Sequence, residues 1–557
     1  MKRLNIAFGL VAGIFSASAL ASEPAKISPV VIPEVKHDVS MTLKEMALTA
    51  PVAVQAPSHE VPIHTVPLKL KPLEHNFIDE AIQSSIQWPL NTIPGLNFLG
   101  LGVGFPGFTP SSFPPDTNAS VGLTQVVQWV NTSFAIFDKS TGLLVSGPTP
   151  GNAFWVGFGG PCENDNDGDP IVKYDQLANR WVMTQFAVGD PNHNTQCVAV
   201  STSPDATGTY NRYAFDFGTN FNDYGKLGVW PDAYYMLLVM FPAGEPDEED
   251  LAHALPTEGG PAACALDRNS MLAGNTASIQ CFQPDPAAGI FLPSDLDGHI
   301  PPPKGEPNFF IGLLQDQDGV TSTNHLAVWR FFVDWQDPNN SQFVGPTALR
   351  VKEFNPDICD NTSGNVEGDC AVQQGTDVKL EVLADRPMYR LAYRNFILHQ
   401  SLVLNHNVRV GDQMPGTRWY ELRKSLLRPK LHVHQQGTYM PNDGNGRWMG
   451  SIAMDKWGNI ALGYSVSGPN LYPSIRYTGR AFFDLRNYMR SENTIVNGGG
   501  YQLPFSEGRR NRWGDYSSMA IDPSDDCTFW YTTEFIQTTG IANWSTQIAS
   551  FRFPFCK

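Results

Sequence analysis

The sequence predicts an all-β protein, a β-propeller of seven four-stranded blades preceded by a Pro-rich N-terminal arm. Three observations carry this expectation. Only 17% of the residues are charged, against about 25% in an average soluble chain, which argues against long salt-bridged helices and coiled coil. The 49 glycines and 44 prolines require frequent turns and short helices. From Pro114 onward, β-type runs of about six residues alternate with turn signals, and partial copies of one unit recur.

Met1 to Ala21 reads as a secretory leader: Lys2 and Arg3, an apolar run from Ile6 to Phe15, then Ala19-Leu20-Ala21 as a small-residue cleavage site. The expected location is therefore secreted or periplasmic, with cleavage near Ala21. No later stretch approaches the ~18 to 20 apolar residues that cross a bilayer. Eight cysteines, all beyond the leader, suit an oxidising compartment. Taken in order they give Cys162/Cys197, Cys264/Cys281, Cys359/Cys370 and Cys527/Cys556, the simplest of many possible pairings.

Residues 22–113 read as arm and linker, partly packed near their end. Prolines recur every few residues from Ser22 to about Leu73, broken by a short helix around Thr42 to Leu48. HEVPIH (His59 to His64) is one residue too long for the zinc-protease spacing and contains Pro62, so it is excluded. NFIDEAIQSSIQ, from Asn76, has a helical pattern, and a Gly-rich run follows it.

Residues 114–557 are expected to form the propeller. PIVKYD, RWVMTQFA, CVAVSTS and YNRYAFDF, between Pro170 and Phe217, make four strands in meander order. One such sheet cannot bury both faces alone and needs neighbours of the same kind. KLGVWPD then AYYMLLVMF, WMGSIAMD then NIALGYSVS, and DYSSMAID then TFWYTTEF repeat one plan. A small or aliphatic strand ends in an aspartate, a turn follows, and an aromatic-rich strand returns. The aspartates are Asp175, Asp232, Asp455 and Asp522. With clusters at Val121 to Phe137, Phe309 to Trp335 and Leu383 to Val410, the spacing favours seven blades. Six or eight blades, or an array of sandwiches, are the alternatives. Ring closure is expected between the last strand, Thr546 to Phe553, and Val126 to Asn131.

PPDTNASVG, VVQWVNTSFAIFDKSTG, GDPIVKYDQLANRWVMTQF, LGVWPDAYYM, RLAYRNF and RWGDYSSMAIDPSDDCTFWYTTEF together resemble a group of secreted bacterial propeller proteins. The similarity runs from about Pro114 to the C-terminus. It implies a fold and a compartment, and it brings no activity or catalytic residue with it.

Several constellations are candidates for chemistry. In ENDNDGDP, Asp165, Asp167 and Asp169 alternate with Asn166 and Gly168, a pattern by which carboxylates converge on calcium. The twelve-residue calcium-loop template fails, because Gln176 stands at its terminal Glu position. The acidic EPDEED (Glu245 to Asp250) lacks this alternation and reads as a solvated insertion. His399, His406, His432 and His434 gather in one part of the chain, the last two on one face of a strand. Asp385, Arg386, Arg390 and Arg394 make a charge-dense stretch that either grips carboxylates of a sugar acid or pairs internally between blades. Arg447-Trp448 and Arg512-Trp513, the latter followed by Asp515 and Tyr516, open two late blades. They either ring one mouth of the axis and stack on sugars or wedge between blades.

The chain has no nucleophile elbow, phosphate loop, c-type haem site or dinucleotide fingerprint, so no organic cofactor is expected. The repeated S-x-D-x-G-x-x-W turns of sialidases are missing too, and DKWGN (Asp455 to Asn459) is at most a distant echo. The formal charge of −17 argues against nucleic acid and anionic lipid as partners. The leading expectation is a secreted propeller binding an extracellular polysaccharide or other surface polymer through Arg447, Trp448, Arg512, Trp513 and Asp515. The alternatives are a lyase or hydrolase of an acidic glycan, using His399, His406, Tyr516 and Arg390, and a structural or adhesion module.

Overall fold

A computed structural model describes residues 28–49, 59–60, 77–83, 88–241, 259–315, 324–356, 358–359, 369–411, 414–504 and 511–557. The expected leader and the EPDEED segment lie outside these residues. Grouped by pairing, the described strands include seven four-stranded antiparallel groups, beside three two-stranded sheets and two added N-terminal strands. The first strands of the seven groups are Thr117–Val121, Gly168–Asp175, Phe221–Val229, Phe291–Asp297, Pro387–Asn395, Gly446–Met454 and Ser518–Ile521. Each contacts the next in that order, and the last contacts the first. A closed ring of sheets around one axis is a β-propeller. At one point the ring is knitted by backbone pairing: Ser294–Asp297 runs parallel to Leu391–Arg394, merging two blades into one eight-stranded sheet.

The recurrent aspartates have a local cause. Asp175 Oδ1 accepts from the backbone N–H of Leu177 and Ala178 at 3.0 and 3.2 Å, Asp455 Oδ1 from Trp457 and Asn459 at 2.9 Å each, and Asp522 Oδ1 from Ser524 at 2.8 Å. Each carboxylate closes the turn after an inner strand, on the same face of the propeller. Asp232 departs from this pattern: its backbone carbonyl takes the Trp335 indole N–H at 2.9 Å.

Ring closure differs from expectation. Trp544–Arg552 pairs with Ile93–Leu99, and Val126–Val130 lies instead inside Gln125–Val130, the second strand of the first blade. The Gly-rich run after Ile93–Leu99 explains why that segment reaches the seam. A Cβ on Gly100 would stand 2.5 Å from both Gln128 Oε1 and Thr546 Oγ1, so only glycine passes between the first and last blades. The Cys527–Cys556 disulfide ties the same blade, and Cys162–Cys197, Cys264–Cys281 and Cys359–Cys370 complete the four bridges expected from sequence order.

Part of the segment expected as an arm is laid against the propeller. Val30–Pro33 pairs with Ser278–Cys281, and Lys36–Val39 pairs with Asn211–Ala214, adding a fifth strand to two adjacent blades. Asp38 receives Nε and Nη2 of the buried Arg212 at 2.8 and 2.7 Å. The expected short helix is Leu43–Thr49, opened by a capping box in which Thr42 and Glu45 exchange hydrogen bonds. The helix expected from Asn76 is not formed over residues 77–83. Asp79 Oδ1 instead takes the Ala81 N–H at 2.7 Å and Arg418 Nη2 at 2.6 Å, a side chain competing with helical hydrogen bonding. No described helix is long and apolar enough to cross a membrane.

Candidate functional site at the axis entrance

The first strands of the ring all begin at the same end of the axis, and there the backbone departs from regular pairing. Register shifts fall at Gly168/Ile171, Asp223/Lys226, Met388/Ala392 and Trp448/Ser451. At this level Asp116, Asp169, Tyr224 and Met449 take φ of +44°, +49°, +52° and +53°. Non-glycine residues in this region cost ~1–3 kcal/mol each. Bulges re-aim side chains, and here they turn a set of polar groups toward the axis.

Lys226 lies at the centre of that set. Its Nζ is 3.3 Å from Asp169 Oδ2, 3.7 Å from the centre of the Tyr224 ring and 4.0 Å from that of Tyr516. Asp169, Asp515, Asp116 and Asp223 surround its charge. Tyr516 Oη lies 3.2 Å from Asp169 Oδ1 and 3.1 Å from the Pro170 carbonyl. Asp116 accepts from the Asp515 N–H and from Asn131 Nδ2, each at 2.8 Å. Arg512 donates to Glu381 at 3.0 Å and to Asp515 at 2.9 Å. Arg386 grips Asp385 at 2.7 and 2.8 Å, with its guanidinium 4.6 Å from the Tyr224 ring centre. Tyr224 is thus held between two cations, and among the described residues its buried hydroxyl has no hydrogen-bond partner.

Burial shapes the proton chemistry. It pushes the Asp169 carboxyl up to about 6 even against the attraction of Lys226. It raises Asp116 well above the usual carboxylate range, reinforced by the charge of Asp515. It lowers the Lys226 ammonium despite the surrounding carboxylates. All three shifts favour neutral forms in a dry cluster. Asp223, Asp385 and Asp515 are partly exposed and form its solvent-facing rim.

Of the residues expected from sequence, Tyr516, Arg512, Asp515, Asp169, Asp385 and Arg386 meet here. Trp448 and Trp513 do not face solvent. Both are buried with ring centres 5.6 Å apart, and Trp513 Nε1 donates to Ser465 Oγ at 3.1 Å. They pack the interior between late blades, which corrects the stacking role expected of them. Arg447 is buried and bonded to Asp443 and Glu492 at 2.7–3.0 Å. Arg390 lies on the inner strand of its blade, donating to Asp295 at 2.7 Å and also to Asp297, while Lys173 shares Asp295. Arg394 binds Asp526 through two hydrogen bonds at 2.8 and 2.7 Å. These arginines serve contacts within the ring.

The histidines do not form a catalytic group. His406 is fully buried, with Nε2 2.9 Å from Tyr420 Oη, and burial lowers it to about 3, so it is no solvent-reaching acid or base. His399 stacks on Phe396 at the opposite end of its strand from the entrance. His432 and His434 lie on the strand His432–Tyr439, where burial drops His434 to about 4.

The three carboxylates of the acidic loop part company. Asp167 Oδ2 accepts from the Val188 N–H at 2.7 Å, and Asp165 takes the backbone N–H of Gly189. Asp169 turns into the axis and serves Lys226. Among the described residues no group of three or more His, Cys, Asp or Glu is arranged to hold a metal ion. Within the axis cluster a lysine ammonium supplies the positive charge among the carboxylates.

Sequence reasoning missed Asp116, Tyr224 and Lys226. A signal was present, because Lys226 opens the otherwise apolar run KLGVW, where an unpaired charge would be costly to bury.

No family model and no curated protein matches the chain. Among solved structures, a Trypanosoma rangeli sialidase in complex with the inhibitor DANA is similar at 12% identity, over 68% of this chain and 54% of that one, with a TM-score of 0.32. A Hadza microbial sialidase is similar at 11% identity over 76% and 73%, with a TM-score of 0.36. The extracellular domains 1-2 of Drosophila semaphorin 1a are similar at 7% identity over 78% and 84%, with a TM-score of 0.31. The chain spans about half the length of the trypanosomal sialidase. Scores this low leave the fold to the strand ring described above and assign no activity.

Proposed function

We propose that this chain is a secreted propeller that hydrolyses a neutral extracellular glycan at its axis entrance. The observation that carries the reading is the set of four carboxylates around Lys226, with Asp169 held near 6. A carboxyl kept protonated by its surroundings beside a second carboxyl is what glycoside hydrolysis needs. In this reading Asp169, covered in the free chain behind Asp223, Asp385 and Asp515, is reached when a sugar seats at that rim, and protonated Asp169 then gives its proton to the glycosidic oxygen as that bond breaks. Asp515, on the rim, receives a proton from the water that attacks the anomeric carbon. Tyr516 positions Asp169, and the four disulfides suit an oxidising compartment.

The preference for a neutral substrate also has a physical basis. Arg386, Arg390, Arg447 and Arg512 are each bonded to carboxylates, leaving them committed rather than waiting for a uronate. The formal charge of −17 also disfavours an acidic polymer. A second reading, binding without turnover, is favoured by the partnerless hydroxyl of Tyr224.

The test is release of reducing ends from soluble glucans, xylans, mannans and chito-oligosaccharides. Wild type should cleave one of these, and Asp169→Asn should slow it by about a hundredfold or more. Binding without release supports the second reading. Neither binding nor release across the panel overturns both.

A further inference from the structure

On the face opposite the axis entrance, several turns end in apolar side chains that the fold does not bury. Two of these turns stand side by side, because the pairing of His399 with Ser425 brings the turn after Pro387–Asn395 next to the turn after Met414–Ser425. In the second turn Ser425 and Arg428 exchange backbone hydrogen bonds at 2.8 and 3.1 Å, which puts Leu426 and Leu427 at the apex of a two-residue loop. Such positions favour Gly, Asn, Asp, Ser or Pro, yet they hold leucines that are 91% and 99% exposed. In the first turn Ile397 and Leu398 are 74% and 79% exposed. Ile397 has φ of +67°, a conformation that β-branched residues rarely adopt. Neither turn propensity nor core packing accounts for these four side chains.

The apolar row continues onto the next blade. A Cβ on Gly458 would stand 3.9 Å from the Phe396 ring and 3.6 Å from Phe482 Cβ, so the two blades meet there, with Trp457, Phe482, Phe483 and Leu485 exposed beside the junction.

The charge around these tips is positive. Arg428, Lys430, Lys456 and Arg486 are exposed, and none is paired with a carboxylate among the described residues. The neighbouring carboxylates already have cations: Asp484 binds Arg490, Asp526 binds Arg394 and Glu306 binds Lys424. Burial and the charges of Arg428, Arg423 and Arg486 hold the His432 imidazole below its ordinary value, so cations from two blades act at one spot. There, Leu427 to His432 border an open recess of about 390 Å³. The formal charge of −17 belongs to the whole chain, and charges beyond a Debye length of about 8 Å are screened. The local sign decides what these tips meet.

We propose that this face docks on the surface of an anionic lipid bilayer, the four aliphatic tips entering the boundary between headgroups and acyl chains while Arg428, Lys430 and Arg486 contact lipid phosphates. Free-standing apolar tips at one end of a rigid ring suit a flat, fluid surface, which requires neither a groove nor stacking geometry. A symmetric dimer through this face would set the same arginines and lysine against their own copies, and a soluble polyanion would leave the leucines in water. Docking here needs nothing from the axis entrance at the other end of the ring.

The test is flotation of the full chain with vesicles of phosphatidylcholine alone and of phosphatidylcholine with phosphatidylglycerol, beside soluble heparin and light scattering without lipid. Wild type should bind the anionic vesicles, less tightly as salt rises. Leu426→Ser with Leu427→Ser, and separately Arg428→Gln with Lys430→Gln, should each weaken that binding by about tenfold or more at an unchanged melting temperature. Arg428→Lys with Lys430→Arg should retain it, and Asp169→Asn, altered only at the axis, should bind as wild type. Wild type that leaves anionic vesicles unbound overturns the docking surface. So does undiminished binding by the double leucine variant, binding of heparin without binding of vesicles, or self-association through these leucines with vesicles left unbound.

Discussion

Lys226 Nζ and Asp169 Oδ2 face each other at 3.3 Å at the entrance to the propeller axis, and neither side chain is appreciably exposed. Two features of the sequence make this pair. The bulge between Asp223 and Lys226 swings the lysine inward, and the left-handed backbone at Asp169 swings the carboxylate toward it. The remaining entrance groups, Asp116, Tyr224, Asp515 and Tyr516, are organised around that contact.

Removing the lysine should therefore be costly. Lys226→Met leaves buried carboxylates without their cation and should destabilise the fold by ~3–5 kcal/mol in urea unfolding. Adding Asp169→Asn should recover part of the loss. A single variant within ~1 kcal/mol of wild type would mean that the pair is not holding the entrance together.

Glu534 gives a pH prediction with a definite sign. Burial raises it to about 7 although Gly514 N–H and the hydroxyls of Thr117 and Thr533 donate to it. A carboxyl raised on folding stabilises fully below its unfolded value, near 4.5, and that contribution fades as pH rises through about 7. The span is worth about 3 kcal/mol. The buried His406, lowered to about 3, has the opposite slope and loses stability as pH falls below 6.5. The informative quantity is thus the difference between wild type and Glu534→Gln in urea unfolding at pH 5, 6, 7 and 8. The variant should gain on wild type across that range, and parallel curves would contradict the assignment.

The N-terminal strands should behave as part of the propeller. Amides of Lys36–Val39 should exchange slowly, because they pair with Asn211–Ala214. Asp38→Ala should lower stability by about 2–4 kcal/mol through the buried guanidinium of Arg212 left without its carboxylate. Rapid exchange across residues 36–39 in wild type would show the strand to be detached.

Much of the fold was legible because its signals are local. PIVKYD, RWVMTQFA and their neighbours are bounded by turn residues, and each cysteine bridges to the next in sequence. The closing strand was not legible, since IPGLNFL carries Pro94 and Gly95 and reads as loop. On an outer strand, however, a proline's missing donor costs nothing on the open edge. Trp448 and Trp513 were recognisable as special, but period-two alternation cannot say whether a ring points to solvent or to the next blade. Lys226 was hidden by a bulge, which shifts a side chain without marking the sequence.

Calcium is a separate question from the axis. With Asp169 committed to Lys226 and Glu163 accepting the Gly157 N–H at 2.9 Å and the Gly159 N–H at 2.5 Å, only Asp165 and Asp167 remain of the three expected ligands, so melting curves in chelator and in millimolar calcium should coincide. A calcium-dependent rise in melting temperature that Asp167→Ala removes would restore the cation to this loop.

Whether the axis entrance is the working site is tested most directly by a crystal structure of the protein soaked with the oligosaccharide it binds or cleaves best. The sugar should lie at the rim of the entrance, within hydrogen-bond distance of Asp515 and with its glycosidic oxygen directed at Asp169. Sugar density confined to Trp457 and Phe482, or anywhere else away from the entrance, would contradict that assignment.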